Sequence, residues 1–374
     1  MLRDLSIQNY RTFKDFNIDG LTRVNLIVGM NNCGKTSLME AVYLLVNQVN
    51  LECLIDLLHN RGEIADPSIS IIPGETRQLS NSYQVRHIFH EHQLKLDQPI
   101  SFQSQNEQPL SLQIYIDSHP IPTSIPPEWQ QFLFSQGIGT GRSRFLLAFS
   151  DQQNSKMVIP IRDDGLIEAH SFQFWKDYSP NPFLPTNNKS LFLTTSKLSC
   201  EQLAVFWDGI TLTPKEECIV QALQILEPDV ERISFTSRQT PNSGILIKMR
   251  GDRDPIPLAS MGEGMHRILT LAMAAVTVEN GVLLVDEIET GLYYQAQTDM
   301  WRLLLEIAQR LNVQVFATTH SWDCICAFQE VLAQSKDSSV GKLFRLSWWE
   351  ETIRAIGYSA EKLAVAVSQN IEVR

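Results

Sequence analysis

Apolar positions along the chain recur with two periods, and the change from one to the other outlines its elements. Val24, Leu26 and Val28 lie in a short strand-like run, and Leu38, Ala41, Val42, Leu45, Val46 and Val49 then repeat at helical spacing. Residues 51–62 continue helically through Leu51, Leu54, Ile55, Leu57 and Leu58. From about residue 66 to 187 the texture is different: "LSLQIYI", "RFLLAFS" and "KMVIPI" predict strands, separated by the proline-rich breaks "SHPIPTSIPPEW" and "YSPNPFLPTNN". From about 196 the pattern is helical again, then strand-like at "RISFTS" and "GILIKMR". An apolar helix follows from Ile268 to Val276. The all-apolar "GVLLV" comes next, then a helix through Met300, Leu304, Ile307, Ala308 and Leu311, and the run "VQVFATT".

All-apolar strands belong in the middle of a parallel sheet covered on both faces. Strand, helix, strand implies a right-handed crossover. The expected fold is therefore α/β: a mostly parallel sheet flanked by helices, with an inserted antiparallel β-rich lobe. Its expected segments are 1–50, 51–195 and 196–374. No sustained heptad is present, which argues against a long coiled-coil arm. "GKLFRLSWW" predicts a further strand, and a closing helix is expected around Glu361 to Val367.

Chemistry enters at residues 29–36, "GMNNCGKT", directly after the first all-apolar run. The pattern G-x-x-x-x-G-K-T suits a phosphate-cradling loop. Gly29 and Gly34 let backbone N–H groups turn inward, and the positive end of the following helix favours an anion. Gly29, Asn31, Asn32, Gly34, Lys35, Thr36 and Ser37 are the candidate ATP contacts. Lys35 can reach the β/γ-phosphates, and the Thr36 hydroxyl can ligate Mg²⁺.

A second group of candidates follows "GVLLV". Asp286 stands at the carboxyl end of that strand, placed for the hydration shell of Mg²⁺, and Glu287 is placed to activate a water as general base. His320 ends the next apolar strand at the same expected edge, where a γ-phosphate contact suits it. In "SMGEGMHR", Ser260, Gly262, Glu263 and Gly264 precede an apolar helix, another anion-binding shape.

Composition narrows the setting. No segment approaches the roughly 18–20 apolar residues of a membrane span, and "MLRDLSIQNYRTF" has no signal-peptide core, so a cytoplasmic protein without membrane association is expected. Cysteines 33, 53, 200, 218, 324 and 326 form no C-x-x-C pair, which disfavours a zinc or disulfide framework. A net charge of −11 counts against a chain-wide nucleic-acid face, although a local patch in a dimer groove stays open. His87, His90 and His92 are set aside as metal ligands, since strand spacing would split them between two faces. Asp252 and Asp254 in "GDRDP" are read as a surface loop.

Together, "GMNNCGKT", "SMGEG", "GVLLVDEIETGL" and "ATTHS" resemble the ATP-binding-cassette type of ATPase head, with Walker A, signature, Walker B plus D-loop, and switch-histidine segments in that order. "NYRTFKDF", "SMGEGMHR", "DEIETGL", "FATTHSWDCI" and the closing "GYSAEKLAVAVSQNIEVR" more closely resemble the AAA-type ATPases of the OLD and RecF-like group. The resemblance covers residues 1–50 and about 196–374. It implies ATP and Mg²⁺ as cofactors, hydrolysis of ATP, and a head-to-head homodimer in which the signature of one chain closes on the γ-phosphate held by the other. It also suggests a separately encoded effector, a nuclease or toxin, in bacterial defence. A RecF-like DNA-repair ATPase is the alternative, and a transporter subunit ranks last because its signature would read closer to L-S-G-G-Q. Tyr293-Tyr294 departs from the histidine usual in the group. No Q-loop glutamine is assigned, and Arg11 and Arg61 are candidate nucleotide contacts. A Toprim nuclease unit of roughly 100 residues is not expected, since too few residues follow His320 and Asp151, Asp163 and Asp164 lie in turn-like stretches.

Overall fold

The computed structural model describes all residues except 49, 71–77, 106–108, 118–126, 128–129, 132–144, 153–155, 163, 169–189, 196–197 and 237–243. Val49, Asp163 and nearly all of both proline-rich breaks therefore lie outside the described residues.

Eighteen strands and eight α-helices are described. The core is a six-stranded sheet of β11 (Ser190–Leu193), β15 (Val282–Val285), β16 (Gln314–Thr318), β3 (Val24–Gly29), β17 (Gly341–Trp349) and β18 (Thr352–Tyr358), in that order. The first five run parallel, and β18 returns antiparallel to β17 as a hairpin. Every residue of β3, β15 and β16 is buried. Their side chains divide by alternation: Ile27, Leu284 and Phe316 enter one hydrophobic cluster, and Leu26, Leu283 and Ala317 the other. That two-sided burial is why these runs carry no polar face.

One cluster is capped by α1 (Lys35–Asn47), α2 (Leu51–Asn60) and a second, antiparallel sheet. That sheet runs β2 (Phe13–Asp19), β1 (Asp4–Tyr10), β6 (Ile100–Ser104), β7 (Leu110–Asp117), β8 (Phe145–Asp151), β9 (Lys156–Ile161). Two strands come from the start of the chain and four from the 51–195 segment, so one sheet spans residue 50. The same segment supplies β11 to the core sheet, beside β15. The other cluster is covered by α3 (Cys200–Asp208), α4 (Pro214–Leu223), α5 (Glu263–Thr277), α6 (Tyr294–Arg310), α7 (Trp322–Gln334) and α8 (Ala360–Ser368). Two small sheets complete the described residues: β4 (Ile64–Ser70), β5 (Gln78–Gln84) and β10 (Leu166–Glu168); and β12 (Val230–Phe235), β13 (Ile245–Met249) and β14 (Ile256–Pro257). No described helix is long and apolar enough to cross a membrane.

Residues 85–92, whose histidines strand spacing would split between two faces, are not a strand. They form two short 3₁₀ turns, with Glu91 and His92 at positive φ. His87 and His92 stack edge to face, and His90 Nδ1 lies 2.8 Å from the Arg11 carbonyl oxygen. No group of three or more His, Cys, Asp or Glu among the described residues is arranged to hold a metal. Asp252 and Asp254 are exposed in a turn.

Candidate nucleotide-binding site

Strand β3 ends at Gly29, and the loop to α1 is built around two glycines. Gly29 has φ 147°, and a Cβ there would lie 2.4 Å from the Leu346 carbonyl oxygen on the neighbouring strand. Gly34 has φ 86°, with a would-be Cβ 2.7 Å from the Phe13 ring. Neither position admits a side chain without displacing backbone or a packed aromatic. Helix α1 starts at Lys35 with no side-chain cap and no acidic residue in its first turn, leaving its positive end for an anion.

Lys35 folds back over the loop, with Nζ donating to the carbonyls of Gly29 at 2.8 Å and Met30 at 2.9 Å. Burial holds its ammonium below the ordinary lysine value, while Cys33, Asp286 and Glu287 act in the opposite direction. Thr36 donates from Oγ1 to Asp286 Oδ2 at 3.2 Å. Asn31 and Asn32 are exposed at the loop tip, Asn32 with φ 60°, and Ser37 is buried in the first turn of α1.

Asp286 and Glu287 follow β15 directly. Thr318, the last residue of β16, ties them together: its hydroxyl donates to Asp286 Oδ1 and accepts from the Glu287 backbone N–H at 2.9 Å. Glu287 has φ 46°, so the chain turns sharply away from the strand at this residue. His320 is exposed two residues beyond β16. Gly29 to Ser37, Asp286, Glu287 and His320 thus share the carboxyl edge of the core sheet, the usual place for a ligand in an open α/β sheet.

Ser260, Gly262 and Glu263 are exposed, and Gly262 (φ 94°) opens α5 without a side-chain cap. Ser260 lies in a 3₁₀ turn over Leu258–Met261. The helix begins at Glu263, five residues before the predicted Ile268, so Gly264 is its second residue instead of preceding it. Gly264 packs closely on the D-loop, where an added Cβ would lie 3.3 Å from the Gly291 carbonyl oxygen.

Three residues emerge that sequence reasoning did not assign. Thr318 is one. Arg267 is another: from α5 it donates to the carbonyls of Asp286 at 3.2 Å, Glu287 at 2.9 Å and Ile288 at 3.4 Å. The third is Glu289, whose Oε1 accepts from the His320 backbone N–H at 3.2 Å. Arg11 and Arg61, candidates for nucleotide contacts, both pair with Glu40 of α1, at 2.6 and 2.7 Å. Arg11 also pairs with Glu63 at 2.6 Å, and Tyr10 donates to Glu40 at 3.0 Å. Burial and the Glu40 charge push the Tyr10 hydroxyl well above its ordinary value. This network braces α1 against β1 and α2.

The donor set suits the groups that the motifs imply. A hydroxyl and a carboxylate oxygen 3.2 Å apart are hard-oxygen ligands of the kind Mg²⁺ takes. A lysine bound to two loop carbonyls beside an uncapped helix start suits phosphate.

An ATP/GTP phosphatase of Helicobacter pylori is 24% identical over 383 residues, covering 97% of this chain and 97% of the relative. The DNA replication and repair protein RecF of Streptococcus pneumoniae is 24% identical over 368 residues, covering 86% of this chain and 93% of the relative. A crystal structure of the SMC head bound to the C-winged helix domain of ScpA aligns over 96% of this chain and 99% of that chain, at 11% identity and a TM-score of 0.48. The family model for the AAA ATPase domain matches residues 1–123 and 173–325, and the chain belongs to that family.

Proposed function

We propose that this protein is an ATP-hydrolysing switch that dimerises head to head around two ATP molecules and controls a partner effector. The observation that carries the reading is the linkage of Thr36, Asp286, Thr318 and Glu287 at one sheet edge, beside Lys35. The loop N–H groups and Lys35 bind and orient the β- and γ-phosphates. Thr36 and Asp286 would hold Mg²⁺, which when bound would neutralise charge on the phosphate oxygens. Glu287 takes a proton from the attacking water, and His320 contacts the γ-phosphate from the same edge.

The exposed, uncapped start of α5 supports the dimer. A helix start suits an anion brought by a second copy, so Ser260, Gly262, Glu263 and Gly264 would complete the partner's site. Opening of the dimer after hydrolysis would then release or activate a separately encoded effector, such as a nuclease or toxin in bacterial defence.

Glu287→Gln keeps the shape and removes the base, so ATP binds and stays. In size-exclusion chromatography that variant should run as a stable dimer with ATP and dissociate without it. Adding Ser260→Arg should abolish the ATP-dependent dimer. A dimer insensitive to nucleotide and to Ser260→Arg overturns this reading. A DNA-repair role is the second reading, favoured by the RecF relative and opposed by the net charge of −11. ATPase activity stimulated by duplex DNA, falling steeply with salt, would select it.

A further inference from the structure

The hairpin of β17 and β18 stands at the sheet edge that carries the loop Gly29–Thr36, and its tip has no place in the reading above. Strand β17 runs parallel to β3 with Leu346 opposite Gly29. Ser347, Trp348 and Trp349 therefore continue past the point where β3 gives way to the loop. The approach is close, since the Leu346 carbonyl oxygen is what a Cβ on Gly29 would strike. Trp348 is 51% exposed and Trp349 57%, whereas the other described tryptophans are buried or half-buried. Two neighbouring rings left in water at a hairpin tip add little to the core and call for another role.

The two rings face opposite ways. Along β17, Phe344 and Leu346 enter the hydrophobic cluster under α1, and Leu343 enters the other. Trp348 continues the α1 face, opposite Ile353 of β18, which belongs to the same cluster. Trp349 takes the other face, with the Arg354 guanidinium 5.2 Å from its ring centroid. Strand order then sets the direction of a bound nucleotide. Glu287 and His320, the γ-phosphate end of the proposed site, follow β15 and β16 on one side of β3. The nucleoside end extends to the other side, over β17, on the face from which α1 departs.

We infer that Trp348 is the stacking platform for the nucleobase of the bound nucleotide. Its position is two residues beyond Leu346, about 7 Å along the strand, beside the loop that would hold the phosphates. Every base has a π-face, so an indole platform accepts adenine and guanine alike. Arg354 keeps Trp349 on the opposite face and out of this contact. The inference rests on the reading of this edge as a nucleotide site.

The test titrates the full chain with ATP, GTP and inorganic tripolyphosphate, each with Mg²⁺. Trp348→Ala should weaken ATP and GTP binding alike, by roughly 5- to 100-fold, as loss of a base–aromatic stack does. Tripolyphosphate, which has no base, should bind within about twofold of the unmodified chain. Trp348→Phe keeps a ring and should hold ATP affinity within about fivefold, and Trp349→Ala should leave it within about twofold. Unchanged ATP affinity in Trp348→Ala overturns the inference. So does a loss of tripolyphosphate binding equal to the loss of ATP, which would mean that the hairpin only supports the loop. A shift in elution volume without nucleotide, with ATP affinity intact, would assign the ring to a protein contact and overturn it too. Failure of the underlying reading would look different: Lys35→Ala would then bind ATP and tripolyphosphate like the unmodified chain.

Discussion

Thr36 and Asp286, 250 residues apart in the chain, meet at the carboxyl edge of the core sheet with the threonine hydroxyl 3.2 Å from Asp286 Oδ2. The other carboxylate oxygen is held by Thr318. Asp286 is thus oriented before any cation arrives. Orienting partners of this kind are worth 10- to 100-fold in metal affinity. Thr318→Val, which keeps the volume and removes the hydroxyl, should raise the Mg²⁺ concentration needed for half-maximal ATP binding by about tenfold, or about 1.4 kcal/mol. Thr318→Ser should restore it. A Mg²⁺ titration monitored with a fluorescent ATP analogue separates the outcomes, and an unchanged midpoint in Thr318→Val would remove Thr318 from the site.

Lys35 makes its two hydrogen bonds to the carbonyls of Gly29 and Met30, within the loop proposed to cradle phosphate. Lys35→Ala removes the cation without adding bulk. ATP affinity should fall by roughly 100-fold, about 2.7 kcal/mol, with little change in melting temperature. Calorimetry showing unchanged ATP binding would refute the assignment of the loop.

What could be read along the chain was local chemistry. The loop from Gly29 to Thr36 is legible because its glycines, lysine and hydroxyl stand together within eight residues. Asp286 is legible because an all-apolar strand ending in a carboxylate is itself a signal. Thr318, Arg267 and Glu289 were not legible, because each acts on a residue brought near by the order and register of strands. Thr318 reaches Asp286 only because β16 lies beside β15 with Ala317 opposite Val285. Two threonines closing the apolar run "VQVFATT" were the available hint. Arg267 looked like an ordinary helix residue, and its burial at 8% exposure was the missing fact. The strand Ser190–Leu193 was hidden for another reason. Four residues after a proline-rich stretch carry too little periodicity to announce a place beside β15.

Arg11 and Arg61 both pair with Glu40, yet their contributions should differ widely. Arg11 is buried with its partner, at 7% and 2% side-chain exposure, whereas the Arg61 side chain is 35% exposed. Breaking a buried pair leaves an uncompensated charge and costs about 3–5 kcal/mol. An exposed pair contributes about 0–1 kcal/mol. Glu40→Ala should therefore destabilise the chain severalfold more than Arg61→Ala in urea unfolding. Glu63, which retains Arg11 as a partner, would hold the loss in Glu40→Ala toward the lower end. Equal losses in the two variants would mean that the network is solvated and does not brace the phosphate helix.

Arg267 joins the signature helix to the turn that carries Glu287, within one chain. Its guanidinium donates to three successive carbonyls, of Asp286, Glu287 and Ile288. Burial lowers its affinity for the proton, and Glu289, Asp286, Glu287 and Glu263 oppose that shift, so the charge is held by its neighbours. A lysine in its place is a point charge on a flexible stem and cannot reproduce the planar fork. Arg267→Lys should keep the charge and the fold but loosen the turn. A hydrogen bond to a charged group contributes about 1.5–3 kcal/mol, so losing one of the three should speed amide exchange across residues 286–288 by roughly 10- to 100-fold. Because Glu287 sits in that turn, kcat should fall about tenfold while ATP affinity stays within about twofold. Arg267→Met, with no donor at all, strips the guanidinium from the Asp286 and Ile288 carbonyls, while the Glu287 carbonyl keeps the Thr290 N–H at 3.1 Å, and should lose stability as well, by about 2–4 kcal/mol. If Arg267→Lys hydrolyses ATP at the unmodified rate with unchanged exchange at 286–288, the coupling between signature helix and catalytic turn runs through some other contact.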